Sequence, residues 1–142
     1  MFTCSKTYAD IPFAHRQHKH PGHCAFIHGH NWVFTFTFGC RTLDGNGFVV
    51  DFGELKYVRQ WFDEELDHAC VFSADDPERE RIVAAAPHAY KVRVVENCSA
   101  EGLALHVCEA VGALVREKTA GRVFILEVRV DEDSRNSATY RP

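Results

Sequence analysis

From residue 28 to residue 38 the even positions hold His28, His30, Trp32, Phe34, Phe36 and Phe38, and the odd ones Gly29, Asn31, Val33, Thr35 and Thr37. A period of two belongs to an extended strand, where alternate side chains share a face. The aromatic face must be covered, so the strand belongs in a half-covered antiparallel sheet. His28 and His30 project on one side with the side-chain-free Gly29 between them, a two-toothed metal clamp. A catalytic zinc takes three protein ligands and keeps a fourth position open. The third ligand must come from elsewhere. His15, closing the apolar segment Tyr8 to His15, would reach the clamp from an antiparallel neighbour; Cys24 is the alternative. Six of the nine histidines, His15, His18, His20, His23, His28 and His30, fall between residues 15 and 30. The plain alternative for such a cluster is adventitious metal affinity or a solvated loop.

At 142 residues, with 46% apolar and 25% charged side chains, one domain spanning 1–142 with its own core is expected. The net charge of −4 argues against a nucleic-acid partner, which selects a basic stripe. No apolar run approaches the ~20 residues of a membrane span, and the N-terminus lacks a signal-peptide layout. A cytoplasmic protein is expected. The six cysteines contain no Cys-x-x-Cys pair and read as reduced thiols. Cys4, Cys40, Cys70, Cys98 and Cys108 sit among apolar neighbours as small hydrophobes, whereas Cys24 has histidines on both sides.

Residues 2–15 read as a first strand, with Pro12 marking an edge or bulge. Residues 16–27 form a histidine-rich loop broken by Pro21-Gly22. Asp44-Gly45-Asn46-Gly47 signals a turn and Phe48-Val49-Val50 a short return strand. Asp51 and Glu54 suggest a capping box opening a helix with Leu55, Val58, Phe62 and Leu66 on one face, ending near Asp67-His68. Residues 73–95 read as a surface insertion with one short helix, Pro77 in its first turn, and an extended piece from Tyr90 to Val95. Ser99 caps a helix carrying Leu103, Val107, Val111, Leu114 and Val115, and Gly121 stops it. Phe124, Leu126, Val128 and Val130 alternate in a further strand; a turn at Ser134-Arg135-Asn136 leads to a last strand ending at Tyr140. The order gives an α+β domain, a four-stranded antiparallel sheet with two helices on one face.

These motifs together resemble the 6-pyruvoyltetrahydropterin synthase family over nearly the whole chain. Phe13-Ala14-His15 is similar to the family's first zinc histidine motif, and Cys24-x-x-x-His28-Gly29-His30-Asn31 to its nucleus. Gly47-Phe48-Val49-Val50-Asp51-Phe52 with Leu55-Lys56 resembles the entry to the first helix, and Leu66-Asp67-His68 the catalytic pair. Asn97-Cys98-Ser99-Ala100-Glu101-Gly102-Leu103-Ala104 resembles a segment usually written Asn-Pro-Thr-x-Glu-Asn-x-Ala. Val130-Asp131-Glu132 with Tyr140 resembles the substrate-anchoring glutamate and its trailing tyrosine. Cys98, Gly102, Asp133 and Val71-Phe72 depart from the usual residues, and none removes a proposed catalytic group. The three-residue gap between Cys24 and His28 resembles the bacterial branch that forms 6-carboxytetrahydropterin; the pyruvoyl-forming branch is the alternative.

The resemblance implies a tunnelling fold (T-fold) whose sheets close into a barrel on oligomerisation, as a homohexamer built from two trimers with shared active sites. It implies Zn2+ on His15, His28 and His30, and a pterin triphosphate, 7,8-dihydroneopterin triphosphate, as substrate. The products are 6-carboxytetrahydropterin, acetaldehyde and triphosphate, on the route to deazapurine nucleosides such as queuosine. Cys24 is then the thiolate base, with a fourth zinc ligand as its alternative. Asp67 orients His68 for a second proton transfer. Glu132 accepts hydrogen bonds from the amino and ring N–H groups of the pterin; an ordinary exposed strand glutamate is its alternative. Glu101 is a second substrate-binding candidate, or a complement to the helix dipole. A non-catalytic zinc-binding module explains the histidines but leaves Cys24, Asp67-His68 and Glu132 without roles.

Overall fold

The computed structural model describes residues 1–142. In chain order the elements are β1 (Phe2–His15), β2 (His28–Cys40), α1 (Lys56–Glu65), β3 (Ala69–Ser73), α2 (Arg79–Ala85), β4 (Lys91–Val95), α3 (Ala100–Lys118), β5 (Val123–Asp131) and β6 (Ser137–Tyr140). They form one six-stranded sheet in the order β4-β3-β1-β2-β5-β6. The β1–β2, β2–β5 and β5–β6 pairs are antiparallel, while β3 runs parallel to both β1 and β4. The α+β class is as expected. The four-stranded antiparallel sheet is corrected to six mixed strands; α1 and α3 are the two expected long helices, and α2 is the short helix expected within 73–95.

Of the added strands, β4 is the extended piece expected from Tyr90 to Val95, now placed in the sheet, and β3 comes from residues whose pattern hides it. All five residues of β3, Ala69–Ser73, are buried, and a strand buried on both faces shows no alternation. It directly follows the apolar stripe of α1 and merges with it in sequence. Residues 73–95, expected as a surface insertion, carry the end of β3 and the edge strand β4 around α2, which has no buried residue. Phe48-Val49-Val50 forms no strand, although Val49 and Val50 are buried. The helix expected from Asp51 starts at Lys56. The Asp51 carboxylate accepts from Gly53 N at 2.7 Å, a local turn that competes with helix capping.

Two irregularities decide which side chains face the helices. Tyr8 pairs with Phe34, but Ile11 pairs with Trp32, and between them Asp10 has φ +57°. The extra residue is a β-bulge, and it exchanges the faces of everything beyond it. Before it the buried residue is Tyr8; after it they are Ile11, Phe13 and His15. Pro12 therefore lies two residues beyond a bulge, but in an interior strand and not at an edge. A second shift, between Thr37 and Phe38 against Glu127 and Ile125, buries Val123 and Ile125 in place of the expected Phe124 and Leu126.

The core lies between the sheet and helices α1 and α3. Trp32, Phe34, Phe36 and Phe38 are fully buried with Leu55, Val58, Phe62 and Leu66 of the α1 segment and Leu103, Val107, Val111 and Val115 of α3. Phe62 meets Phe34 at 4.8 Å and Tyr8 at 5.6 Å between ring centroids, distances at which aromatic pairs add to area burial. Ser99 caps α3 as expected, its Oγ accepting from Gly102 N at 3.1 Å. Gly121, with φ +78°, closes the helix through its N–H to Arg116 O at 2.8 Å. No helix is long and apolar enough to cross a membrane.

Candidate active site

The β1 bulge puts His15 on the face that carries His28 and His30. His15 is the direct antiparallel partner of His28, and Phe13 of His30. The three imidazole centroids lie 4.8 to 5.3 Å apart. Glu132 completes the group: one ligand atom from each of His15, His28, His30 and Glu132 lies within 4.8 Å of all the others. The β5 register carries Glu132 there, since Asp131 pairs with Val33 and the next residue comes beside His30.

Hydrogen bonds set the imidazole tautomers. His15 Nδ1 lies 2.8 Å from Cys98 O, and His28 Nδ1 2.7 Å from Phe26 O. A carbonyl only accepts, so each Nδ1 carries a proton, and in a neutral ring that leaves the lone pair on Nε2. Burial pushes the His15 pKa down, His28 and His30 add to that, and the Cys98 bond and Glu132 oppose it. The neutral ring that results is the form a metal needs. The Nε2 atoms of His15 and His30 lie 3.3 and 3.0 Å from Glu132 Oε1, yet both are buried and neither makes a hydrogen bond. Ligands at ~2.0–2.1 Å around a tetrahedral ion are themselves about 3.3 Å apart. The unpartnered Nε2 atoms of His15 and His30, grouped with His28 and Glu132, fit a divalent metal.

A cleft of about 500 Å³ opens on the cluster and is lined by His15, His28, Glu132, Cys24, Glu101 and Arg135 among others. Cys24 sits in a short 3-10 turn, His23–Ala25, and its carbonyl accepts from Gln17 N at 2.8 Å. It lines the cleft without joining the ligand cluster. Glu101 reaches the same cleft from the first turn of α3. Arg135 was not singled out as a site residue by sequence, although it stands three residues after Glu132. It lies on a turn nucleated by Asp133, whose Oδ1 accepts from Arg135 N at 2.7 Å and Asn136 N at 2.8 Å.

Asp67 and His68 lie elsewhere. They follow α1, with His68 Nδ1 3.0 Å from Asp67 Oδ2 and His68 N donating to Pro12 O at 2.7 Å. His68 has φ +58° and an exposed ring, and it borders a separate groove with His30 and Asn31. Within one chain the pair does not line the Cys24 cleft.

Fold and site together define an α+β protein whose His15, His28, His30 and Glu132 form a group able to hold a metal ion beside a cleft that Cys24 lines. The model of the family described as 6-pyruvoyl tetrahydropterin synthase matches residues 3–142, and the chain belongs to that family. A protein of Rickettsia typhi named 6-carboxy-5,6,7,8-tetrahydropterin synthase is 31% identical over 110 residues, covering 75% of this chain and 78% of its own. An uncharacterized protein of Wolinella succinogenes superposes with a TM-score of 0.81 at 19% identity over 99% of this chain and 97% of its own. The 6-pyruvoyl tetrahydropterin synthase of Caenorhabditis elegans gives 0.66 at 21% identity over 99% and 95%. These two likenesses establish the shared fold.

Proposed function

We propose that this protein converts 7,8-dihydroneopterin triphosphate to 6-carboxy-5,6,7,8-tetrahydropterin, releasing acetaldehyde and triphosphate. The observation that carries the proposal is the convergence of His15, His28, His30 and Glu132 beside a cleft that also contains Cys24. The name of the Rickettsia relative favours the carboxy product.

His15, His28 and His30 would hold zinc, which when bound would polarise substrate hydroxyls and stabilise negative charge on their oxygens. Cys24 takes a proton from the substrate side chain. Asp67 accepts from His68 Nδ1–H and fixes that ring, leaving its other nitrogen to move a second proton. Glu132 accepts from the amino and ring N–H groups of the pterin. Its Oε1, 3.0 Å from His30, sets the anchored ring beside the metal ligands. Glu101 lines the same cleft and contributes to substrate binding.

Because Asp67 and His68 stand outside the Cys24 cleft, they serve the cleft of a neighbouring chain. The sheet edges at β4 and β6 are unpaired backbone of the kind proteins cover, and closing them between copies makes a barrel. These edges support a homohexamer of two trimers with shared sites, the assembly that the family resemblance implies. The six cysteines are free, which suits the reducing cytoplasm.

Incubation of the zinc-loaded protein with 7,8-dihydroneopterin triphosphate, followed by mass analysis, tests the reaction. Acetaldehyde and the carboxy product are expected. A pyruvoyl product without acetaldehyde assigns the sister reaction, and no conversion leaves a zinc-binding module.

A further inference from the structure

We infer that Ser73 and Cys98 form a clasp that positions His15 for its metal, an inference that rests on the metal-site reading above but not on the reaction. Cys98 lies in the loop between β4 and the Ser99 cap of α3, is fully buried, and uses every polar atom it has. Its N–H donates to Ser73 Oγ at 3.1 Å, and the Ser73 hydroxyl donates back to Cys98 Sγ at 3.2 Å. The thiol donates in turn to Arg16 O at 3.2 Å. The remaining atom, Cys98 O, accepts from His15 Nδ1 at 2.8 Å. Ser73 and His15 are buried too, so water cannot replace these partners. Each proton has one acceptor: the hydroxyl gives to sulfur, the thiol to the Arg16 carbonyl, the amide to the hydroxyl.

The clasp joins the ends of β1 and β3 to a loop that would otherwise let the Cys98 carbonyl turn. Held in place, that carbonyl keeps the His15 proton on Nδ1. Released, it allows the tautomer with the proton on Nε2, which a metal must then displace. Ser73 and Cys98 thus act on the metal through His15 without touching it.

The test measures zinc dissociation constants by competition with a chromophoric chelator, and the visible spectrum of the cobalt(II)-substituted full-length chain. Ser73→Ala is expected to weaken zinc about tenfold or more, the range in which partners of metal-binding histidines act, and to alter the cobalt spectrum. Cys98→Ser, which keeps a side-chain donor and acceptor, should stay near the wild type. Cys108→Ala removes another buried thiol, one on α3, and should change neither quantity. If Ser73→Ala does not fold, Cys98→Ala, which cuts only the thiol links, should still weaken zinc. Unchanged affinity and spectrum in the folded variant, or an equal loss in Cys108→Ala, overturn the clasp. A wild type that binds no zinc overturns the metal centre itself, a result distinct from a loaded wild type matched by Ser73→Ala.

Discussion

His15 shows how far single residues were legible and where that ended. Its pairing with His28 follows from two strands joined by the loop 16–27, and that much is in the spacing. Its face is not, because counting by twos from Phe2 and Tyr8 sends His15 to the wrong side of β1. The reversal needs the extra residue at the bulge, a backbone irregularity with φ +57° at Asp10 that no hydrophobic pattern announces. Glu132 is similar: its sequence marks a strand end, but its contact with His15 and His30 depends on the β2–β5 register. Burial of His15 also has a consequence in pH. Its folded pKa, like that of half-buried His106, is pushed below the ordinary 6.5 mainly by burial. Between 6.5 and the depressed folded value the unfolded chain binds more protons, so stability falls as pH drops through that window and levels off below it. Asp44, Asp75 and Asp133, held low chiefly by hydrogen bonds from Phe48, Lys19 and Arg135, add the same sign only near 3.8 and below. Urea midpoints of the metal-free protein should therefore fall between pH 7 and pH 5.5; a flat profile would show that these imidazoles titrate alike folded and unfolded.

Among the elements, those with an exposed face and a buried face were read well, and those buried on both faces or set by local turns were not. β1, β2, α3 and β5 end within a residue or two of their expected bounds, because alternation, the Ser99 cap and Gly121 each have a local cause. β3 has no polar face to betray it, while β4, legible as the extended piece from Tyr90 to Val95, shows nothing in its sequence of its parallel place beside β3. The start of α3 carries a constraint that propensity alone would miss. A Cβ on Gly102 would stand 2.2 Å from Asn97 O, backbone that cannot swing aside as a flexible side chain would. Alanine there gains about 1 kcal/mol of helix propensity, but overpacking costs typically ~1–3 kcal/mol, and a contact this short belongs at the upper end. Gly102→Ala is expected to lower the unfolding free energy by about 1–2 kcal/mol net, measured by urea denaturation. A stabilised variant would mean that the Asn97 loop yields freely.

For the molecule as a whole, the proposal is an assembly in which each site draws on two chains, argued from the open edges at β4 and β6 and from His68, which is exposed and outside the Cys24 cleft. Co-refolding Cys24→Ala with His68→Ala should then restore part of the activity that each variant lacks, since some sites receive an intact thiol and an intact imidazole. Mixed oligomers that stay inactive, with each variant folded and zinc-loaded, would place both groups in one chain. The central claim is that the histidines hold the metal while Cys24 does chemistry beside it. It is tested most directly by measuring bound zinc and released acetaldehyde together, in the wild type and in Cys24→Ala. The expected result is about one zinc per chain in both proteins, with acetaldehyde from the wild type alone. Loss of zinc from Cys24→Ala, or acetaldehyde released by it at the wild-type rate, would contradict that assignment.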